Sequence, residues 1–223
     1  MQEHAHDHDH HGHDHDHDHP QERAPHAPPQ PDEKIHSYYQ VLGLALKELL
    51  IEKGIVTPEE IRKTIEFRDS ITPATGAQVV ARAWMDPAYK ERLLKDGSEA
   101  IHDFGLDMSG TELVVVENTP AVHNVIVCTL CSCYPRSVLG LPPSWYKSRE
   151  YRARVVCEPR AVLAEFGTTL PDNVEVRVHD STADMRYLVL PMRPAGTDNM
   201  SAEQLAELVS RDCMVGVSLP RAP

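Results

Sequence analysis

Hydrophobic positions in the first half of the chain recur at the three- and four-residue spacing of amphipathic helices. The first set ends before Gly54, which suits a helix stop, and comprises Ile35, Tyr38, Tyr39, Leu42, Leu46, Leu49 and Leu50. Thr-Pro or Asp-Pro pairs at residues 57, 72 and 86 then predict three more helix starts. The first of these pairs also has the Glu of a capping box, Glu60. The first half is therefore predicted to be helical.

The pattern changes after Gly110, where β-branched runs typical of strands begin. We predict strands at residues 112–116, 122–127, 174–178 and 186–190. Helical patterns lie among and after them, at residues 141–146, 159–166 and 201–209. Strands and helices do not alternate regularly, which favours an α+β fold over a doubly wound one.

Composition divides the chain into three parts. Residues 1–33 contain no Leu, Ile, Val or Phe, so we expect a disordered tail without a core. Residues 34–70 are predicted to form a helical arm that buries its apolar face on a partner, although packing on the same chain would also explain the pattern. Residues 71–223 are predicted to form the catalytic domain.

The tail alternates imidazoles with carboxylates, a composition that can hold Co, Ni or Zn ions. A solubilising or cloning-derived tail is the simpler alternative. The residues expected to capture metal are His4, His6, His8, His10, His11, His13, His15, His17 and His19.

Charge and hydropathy exclude several partners. A net charge of −12 argues against nucleic acid, whose phosphates require a basic surface. No apolar run is long enough to span a membrane, and the N-terminus lacks the apolar segment of a secretory signal. We therefore expect a cytoplasmic protein, in which five cysteines point to metal binding or catalysis more than to disulfides.

Three of these cysteines fall within Cys128–Cys133, a segment that we call the cysteine claw. Structural zinc and an iron–sulfur cluster both need a fourth ligand, and neither Cys157 nor Cys213 belongs to a second CxxC pair. A redox disulfide between Cys128 and Cys131 leaves Cys133 without a role. In a fourth alternative, three thiolates and the backbone amides of Ser132 and Cys133 bind one transition metal.

The claw and its surroundings resemble the alpha subunit of nitrile hydratase. The metal-binding motif is VCTLCSCYP at residues 127–135, and Thr129 is similar to the cobalt type rather than the iron type. The resemblance extends from about residue 34 to the end. Its other segments are GAQVVARAW (76–84), VENTPAVHN (116–124), LGLPPSWYK (139–147), YRARVV (151–156), PRAVLAEFG (159–167) and RPAGT (193–197).

This resemblance implies a four-layer α-β-β-α domain with an N-terminal helical arm around a beta subunit. It also implies one Co(III) per chain, bound by Cys128, Cys131 and Cys133 and by the amides of Ser132 and Cys133. Cys131 would be a sulfinate and Cys133 a sulfenate that acts in catalysis. The implied activity is a lyase reaction that hydrates a small nitrile to the amide, with cobalt as Lewis acid and an activator protein that inserts it.

Two positions depart from the family pattern. Arg136 stands where cobalt nitrile hydratases usually have Trp, and Ser109 stands where they often have Gln. We expect both, together with Tyr134, to line the substrate pocket. Arg136 and the His-Asp tail resemble the cobalt subunit of thiocyanate hydrolase, which is the alternative enzyme. A metal-carrying or storage protein is the alternative of another class.

Overall fold

The computed structural model describes residues 37–221, so the predicted tail and its histidines lie outside the described residues. Helix α1 spans Tyr38–Glu52 and begins at a capping box between Ser37 and Gln40. Helix α2 spans Pro58–Ser70 and begins at the predicted box between Thr57 and Glu60. Both predicted helices of the arm are therefore present.

Neither α1 nor α2 contains a buried residue. Their large apolar side chains are exposed instead, and those on these helices are Tyr38, Tyr39, Val41, Leu42, Leu44, Leu46, Leu49, Ile65 and Phe67. Apolar surface of this extent is costly in water, so the arm has a face that suits a partner.

The next helices pack into the domain. Helix α3 (Pro73–Met85) buries Val79 and Val80 completely, and α4 (Pro87–Lys95) buries Leu93. The side chain of Asp86 caps α4 by accepting from two backbone amides, as its Asp-Pro sequence predicts. The short helix α5 (Gly97–Ala100) and a 3₁₀ turn follow and lead to the strands.

In the part of the chain that the structure describes, four strands form two separate two-stranded sheets. Strands β1 (Glu112–Glu117) and β4 (Met185–Leu190) pair in parallel, and so do β2 (Val122–Val127) and β3 (Glu175–Asp180). All four predicted strands are present. Strands β1 and β2 follow each other across a tight turn but belong to different sheets, an arrangement that the sequence pattern did not reveal.

Six short helices complete the domain. They are α6 (Arg136–Leu139), a 3₁₀ turn at Ser144–Lys147, α7 (Arg149–Cys157), α8 (Pro159–Glu165), α9 (Ala202–Glu207) and α10 (Arg211–Val215). Helices α8 and α9 match two predicted helical stretches, and Ser201 and Gln204 form the expected capping box. The helical patterns did not identify α7 and α10.

The two sheets contact each other, and helices cover both of them. Helices α4 and α5 pack on β1, α8 packs on β3, and α10 contacts both β2 and β4. Gly216, at the end of α10, has a φ of +90°, and a Cβ there would lie 2.0 Å from the Asn124 carbonyl oxygen of β2. Glycine therefore permits the close contact between α10 and β2. The fold is α+β, as predicted.

Within residues 37–221, no helix has both the length and the apolar character needed to cross a lipid bilayer.

Candidate metal centre

The cysteine claw begins where strand β2 ends, at the carboxyl edge of the β2–β3 sheet. Cys128 is buried directly after the strand, Cys133 is half-buried and Cys131 is exposed. The chain between them forms neither a helix nor a strand. This irregular path allows three closely spaced side chains to point toward one centre.

The three sulfur atoms do converge. All lie within 4.8 Å of one another, and the Sγ atom of Cys131 is 3.3 Å from that of Cys128 and 3.2 Å from that of Cys133. Soft thiolates at this spacing suit a transition metal. The structure thus brings together the three cysteines that the sequence singled out.

The other cysteines are elsewhere. Cys157 is exposed at the end of α7, and Cys213 is buried beside the hydroxyls of Ser210 and Ser218. Among residues 37–221, the claw thiols form the only group of three or more potential His, Cys, Asp or Glu ligands. A zinc or iron–sulfur site that needs four such ligands therefore lacks the fourth one within the described part of the chain.

Asp180 and Arg152 hold the claw from two sides. The Asp180 carboxylate accepts from the Thr129 amide at 2.9 Å and from the Thr129 hydroxyl at 2.5 Å. The Arg152 guanidinium, on α7, donates to the carbonyl oxygens of Cys131 at 3.0 Å and Thr129 at 3.4 Å. These contacts fix the backbone that presents the thiols.

Sequence reasoning identified neither Asp180 nor Arg152 as a residue that supports the claw. The parallel register pairs Asp180 with Val127, the residue before the claw. Since the carboxyl ends of parallel strands meet at one edge, the pairing of β2 with β3 would have identified Asp180. That pairing cannot be read from either strand alone.

Aromatic side chains in the core support the claw. The Tyr146 hydroxyl donates to the Cys133 carbonyl at 2.9 Å, and the Tyr151 hydroxyl donates to the Ile126 carbonyl at 2.7 Å. The rings of Tyr134 and Tyr146 meet edge-to-face with centroids 4.9 Å apart. Tyr134 is only 3% exposed, so it lies in the core behind the claw.

The surroundings shift the pKa values of the Cys131 and Cys133 thiols in opposite directions. Hydrogen bonds from Cys133 and Cys128 lower the pKa of Cys131 to about 7, and the amides of Ser132 and Cys133 act in the same direction. Burial raises the pKa of Cys133 to about 12, with the hydrogen bond to Cys131 acting in the same direction. The cluster therefore supplies one readily formed thiolate at neutral pH. A bound cation would favour the ionised form of the others.

Ser109 and Arg136 line a common cavity of about 180 Å³. Ser109 is the one non-glycine residue among 37–221 with a positive φ, at 51°, and its amide donates to Asp107 at 2.8 Å. Tyr134 and the claw cysteines do not line this cavity. The structure thus groups two of the three predicted pocket residues and separates Tyr134 from them.

A family described as "Nitrile hydratase, alpha chain" matches residues 37–218, nearly all of the described chain. The chain belongs to the nitrile hydratase alpha-chain family. The resemblance predicted from the cysteine motif and its flanks is thereby confirmed.

Known relatives agree with this assignment. The chain is 52% identical over 181 residues to the low-molecular-weight cobalt-containing nitrile hydratase subunit alpha of Rhodococcus rhodochrous, covering 80% of this chain and 87% of the relative. It is 44% identical over 205 residues to the thiocyanate hydrolase subunit gamma of Thiobacillus thioparus, covering 86% and 84%.

Solved structures of this family share the fold. A recombinant thiocyanate hydrolase with partially modified cobalt centres superimposes with a TM-score of 0.77 and 42% identity, covering 84% of this chain and 92% of that one. An Fe-type nitrile hydratase variant from Comamonas testosteroni gives a TM-score of 0.75 and 42% identity, covering 85% and 94%. The nitrile hydratase alpha-type fold predicted from the sequence is therefore confirmed.

Proposed function

We propose that this chain is the cobalt-bearing alpha subunit of a nitrile hydratase, an enzyme that adds water to a nitrile to give the amide. The observation that carries the proposal is the convergence of the Cys128, Cys131 and Cys133 thiols within 4.8 Å. It occurs in a chain that is 52% identical to the alpha subunit of a cobalt-containing nitrile hydratase.

The donor set fits a trivalent cobalt ion. Cys128, Cys131 and Cys133 would bind it through sulfur, and Ser132 and Cys133 would add their backbone nitrogens. Both amides help to lower the pKa of Cys131, which supports a place for them beside the thiol cluster. When bound, cobalt supplies Lewis-acid activation of the nitrile or of water.

The protein's own part is to keep these donors in place. Asp180 and Arg152 fix the backbone at Thr129 and Cys131, and Tyr146 fixes the Cys133 carbonyl. Ligands held in advance lose less conformational freedom on metal binding than a free loop would.

Cys131 and Cys133 are proposed to carry oxygen in the mature enzyme, as sulfinate and sulfenate. Susceptibility to oxidation follows access and thiolate character. Access supports oxidation of these two, since Cys131 is exposed and Cys133 half-buried whereas Cys128 is buried. Thiolate character supports it for Cys131 alone, and ionisation of Cys133 would depend on the bound cation. A reducing cytoplasm suits the five cysteines, all of which are free.

A beta subunit is the proposed partner. Leu130 at the tip of the claw is 90% exposed, which leaves an apolar residue beside the thiols for a second chain to cover. The arm, residues 34–70, is proposed to wrap that subunit with the exposed face of α1 and α2. An activator protein is proposed to insert the cobalt.

The test is to co-express the chain with its partner subunits and activator in cobalt medium. We expect one cobalt per chain, added oxygen on Cys131 and Cys133 by peptide mass spectrometry, and amide formation from a small nitrile. A mature active complex that contains zinc and unoxidised thiols would contradict the proposal.

Thiocyanate hydrolase is the second candidate, because Arg136 stands where cobalt nitrile hydratases usually have Trp. The 44% identity to a thiocyanate hydrolase subunit gamma supports it as well. The same complex is therefore assayed with thiocyanate. Amide formation from nitriles without thiocyanate turnover would eliminate this candidate.

The histidine tail is proposed to capture metal ions. In the alternative of a metal-carrying protein, the tail stores ions and the claw transfers them. Deletion of residues 1–33 separates a storage role from an accessory one. With plentiful cobalt, a truncated complex of full cobalt content and activity would show that the tail is not required as a store. If the same complex binds less cobalt than the full-length one when cobalt is scarce, the tail assists capture only.

A further inference from the structure

Four buried side-chain nitrogen or oxygen atoms have no hydrogen-bond partner within residues 37–221. Three of them are the hydroxyl of Tyr134, Nε of Arg211 and Oδ1 of Asp212. The fourth, the Ser181 hydroxyl, acts on Tyr146 instead. A buried polar atom without a partner costs free energy, so folded proteins usually supply one from the protein or from an ordered water.

The three atoms belong to the region where α6 and α10 both pack on α3. Tyr134 lies two residues before α6, and the Arg-Asp pair begins α10. A Cβ at Gly76 of α3 would lie 2.5 Å from the Cδ2 atom of Leu139 in α6 and 2.8 Å from the Sδ atom of Met214 in α10. The absence of a side chain at Gly76 thus lets both helices approach the same point of α3.

The charges of the Arg-Asp pair act on the Tyr134 hydroxyl. Burial raises the pKa of Tyr134, while the charge of Arg211 acts to lower it and that of Asp212 to raise it. Burial also raises the pKa of Tyr151, and Asp212 acts in the same direction there. Tyr146 connects the two tyrosines, with ring centroids 4.9 Å from Tyr134 and 5.7 Å from Tyr151. The pair therefore lies next to this tyrosine cluster.

The three atoms match the hydrogen-bonding capacity of one water molecule. The Tyr134 hydroxyl and the Arg211 Nε–H can donate, whereas the Asp212 carboxylate accepts. A water that accepts from both donors and donates to the carboxylate makes three bonds, the usual number for a buried water. Nε and Oδ1 are 3.5 Å apart, longer than an ordinary N–H···O bond. A cation would face two donors and an anion would face the carboxylate, so neither suits the cluster.

Solvent has access to one side of the cluster. The Arg211 and Asp212 side chains are each 34% exposed, although their Nε and Oδ1 atoms are buried. Arg211 also lines a cavity of about 770 Å³ between α3 and α9, which Tyr134 does not line. The cluster thus lies at the boundary between this cavity and the core, where a water can enter and stay.

We propose that Tyr134, Arg211 and Asp212 hold one internal water, and that this water makes the Arg-Asp pair positioning residues for the claw. The water fixes the Tyr134 hydroxyl, and the Tyr134 ring packs edge-to-face on Tyr146. Tyr146 in turn donates to the Cys133 carbonyl at 2.9 Å. The positioning role rests on the proposed function, whereas the water site does not depend on it.

A high-resolution crystal structure of the complex with the beta subunit tests the water site. We expect one ordered water within about 3.2 Å of the Tyr134 hydroxyl, Arg211 Nε and Asp212 Oδ1. A direct hydrogen bond from Tyr134 to Asp212 would overturn the site. A partner-subunit side chain in the place of the water would overturn it as well.

Two variants test whether the partners share one water. Tyr134→Phe removes one donor, and Arg211→Lys removes Nε but keeps the charge. Each should lower Tm by about 2–4 °C, and the double variant by about as much as one of them. Arg149→Lys, at an exposed position on α7, is the control and should leave Tm within about 1 °C. Additive losses in the double variant would overturn the shared water.

The positioning role is tested by the sulfur-to-cobalt charge-transfer absorption of the loaded complex. This absorption depends on the geometry of the thiolates, which a purely structural role of Arg211 would leave unchanged. Arg211→Lys should shift it and lower kcat by about threefold or more with KM within about twofold. Arg149→Lys should change neither.

The possible failures are distinguishable. An unchanged absorption in Arg211→Lys overturns the positioning role while leaving the water site intact. A complex that binds no cobalt contradicts the proposed function, and the crystal structure and the Tm measurements still decide whether the water site exists.

Discussion

Asp180 binds Thr129 through both the backbone and the side chain of that residue. One carboxylate oxygen accepts from the amide at 2.9 Å and the other from the hydroxyl at 2.5 Å. The contact joins the end of β3 to the first turn of the claw. It stabilises the loop that positions the thiols.

Replacement of Asp180 by Asn should therefore lower cobalt content more than global stability. The asparagine side chain keeps the size of aspartate but lacks its negative charge. Loss of that charge weakens an exposed charge-assisted hydrogen bond by about 1 kcal/mol. We expect reduced cobalt per chain by elemental analysis with little change in Tm. Asp172→Asn, an exposed residue on the loop before β3, is the control. Equal cobalt content in both variants would show that Asp180 does not support the site.

Cys133→Ser should abolish activity, whereas Cys157→Ser should leave it intact. The first removes a sulfur from the cluster, and the second alters an exposed thiol outside it. Surface substitutions of this kind usually change stability by less than about 0.5 kcal/mol. Activity and cobalt content of the two purified complexes are the measurements. Loss of cobalt in Cys157→Ser would place that thiol in the site after all.

The arm should be needed for assembly with the beta subunit. Leu42 and Leu46 are about half exposed on α1, and glutamate at both positions would place charge on the apolar face. We expect the double variant to lose co-purification of the beta subunit, with the Tm of the alpha chain maintained. Lys53→Glu, an exposed change at the end of the same helix, is the control. Normal assembly of the double variant would refute the proposed role of the arm.

Acid should destabilise the fold through His123. Burial lowers the pKa of His123 below its ordinary value of 6.5, although its bond to the Gly216 carbonyl opposes this shift. Its Nε2 donates to that carbonyl at 2.7 Å, and its Nδ1 accepts from Asn118 at 3.3 Å, so the neutral ring satisfies both partners. The stabilisation that the neutral His123 ring gives the folded state is present above pH 6.5. It is lost as the pH falls toward the lower pKa that His123 has in the folded state.

The measurement is Tm at pH 7.5 and at pH 5.0. His123→Gln should have a lower Tm at pH 7.5 but a smaller decrease on acidification than the wild type. His102→Gln, at an exposed position, should retain the wild-type decrease. An unchanged pH dependence in His123→Gln would mean that other groups cause the acid sensitivity.

Local signals made much of the fold predictable. Capping boxes at Thr57 and Ser201 and the Asp-Pro pair at residue 86 identify helix starts because they satisfy the first free backbone amides. The β-branched runs located the strands to within one or two residues. Helix α7 was not identified as a helix because four of its nine residues are charged and it buries only Tyr151 and Val155, and α10 has only five residues.

Contacts between distant segments were not predictable in the same way. The metal ligands could be named because Cys128, Cys131 and Cys133 lie in one hexapeptide. Asp180 could not, since its place depends on the parallel register between β2 and β3, which neither strand encodes alone. The shared cavity of Ser109 and Arg136 likewise depends on where the arm meets α6.

The central claim is that cobalt binds at the claw, and X-ray absorption at the cobalt K-edge tests it most directly. The sample is the complex that lacks residues 1–33, so that the histidine tail cannot contribute ligands. We predict a first shell dominated by sulfur, from Cys128, Cys131 and Cys133, with additional nitrogen. A first shell of nitrogen and oxygen alone would contradict the account.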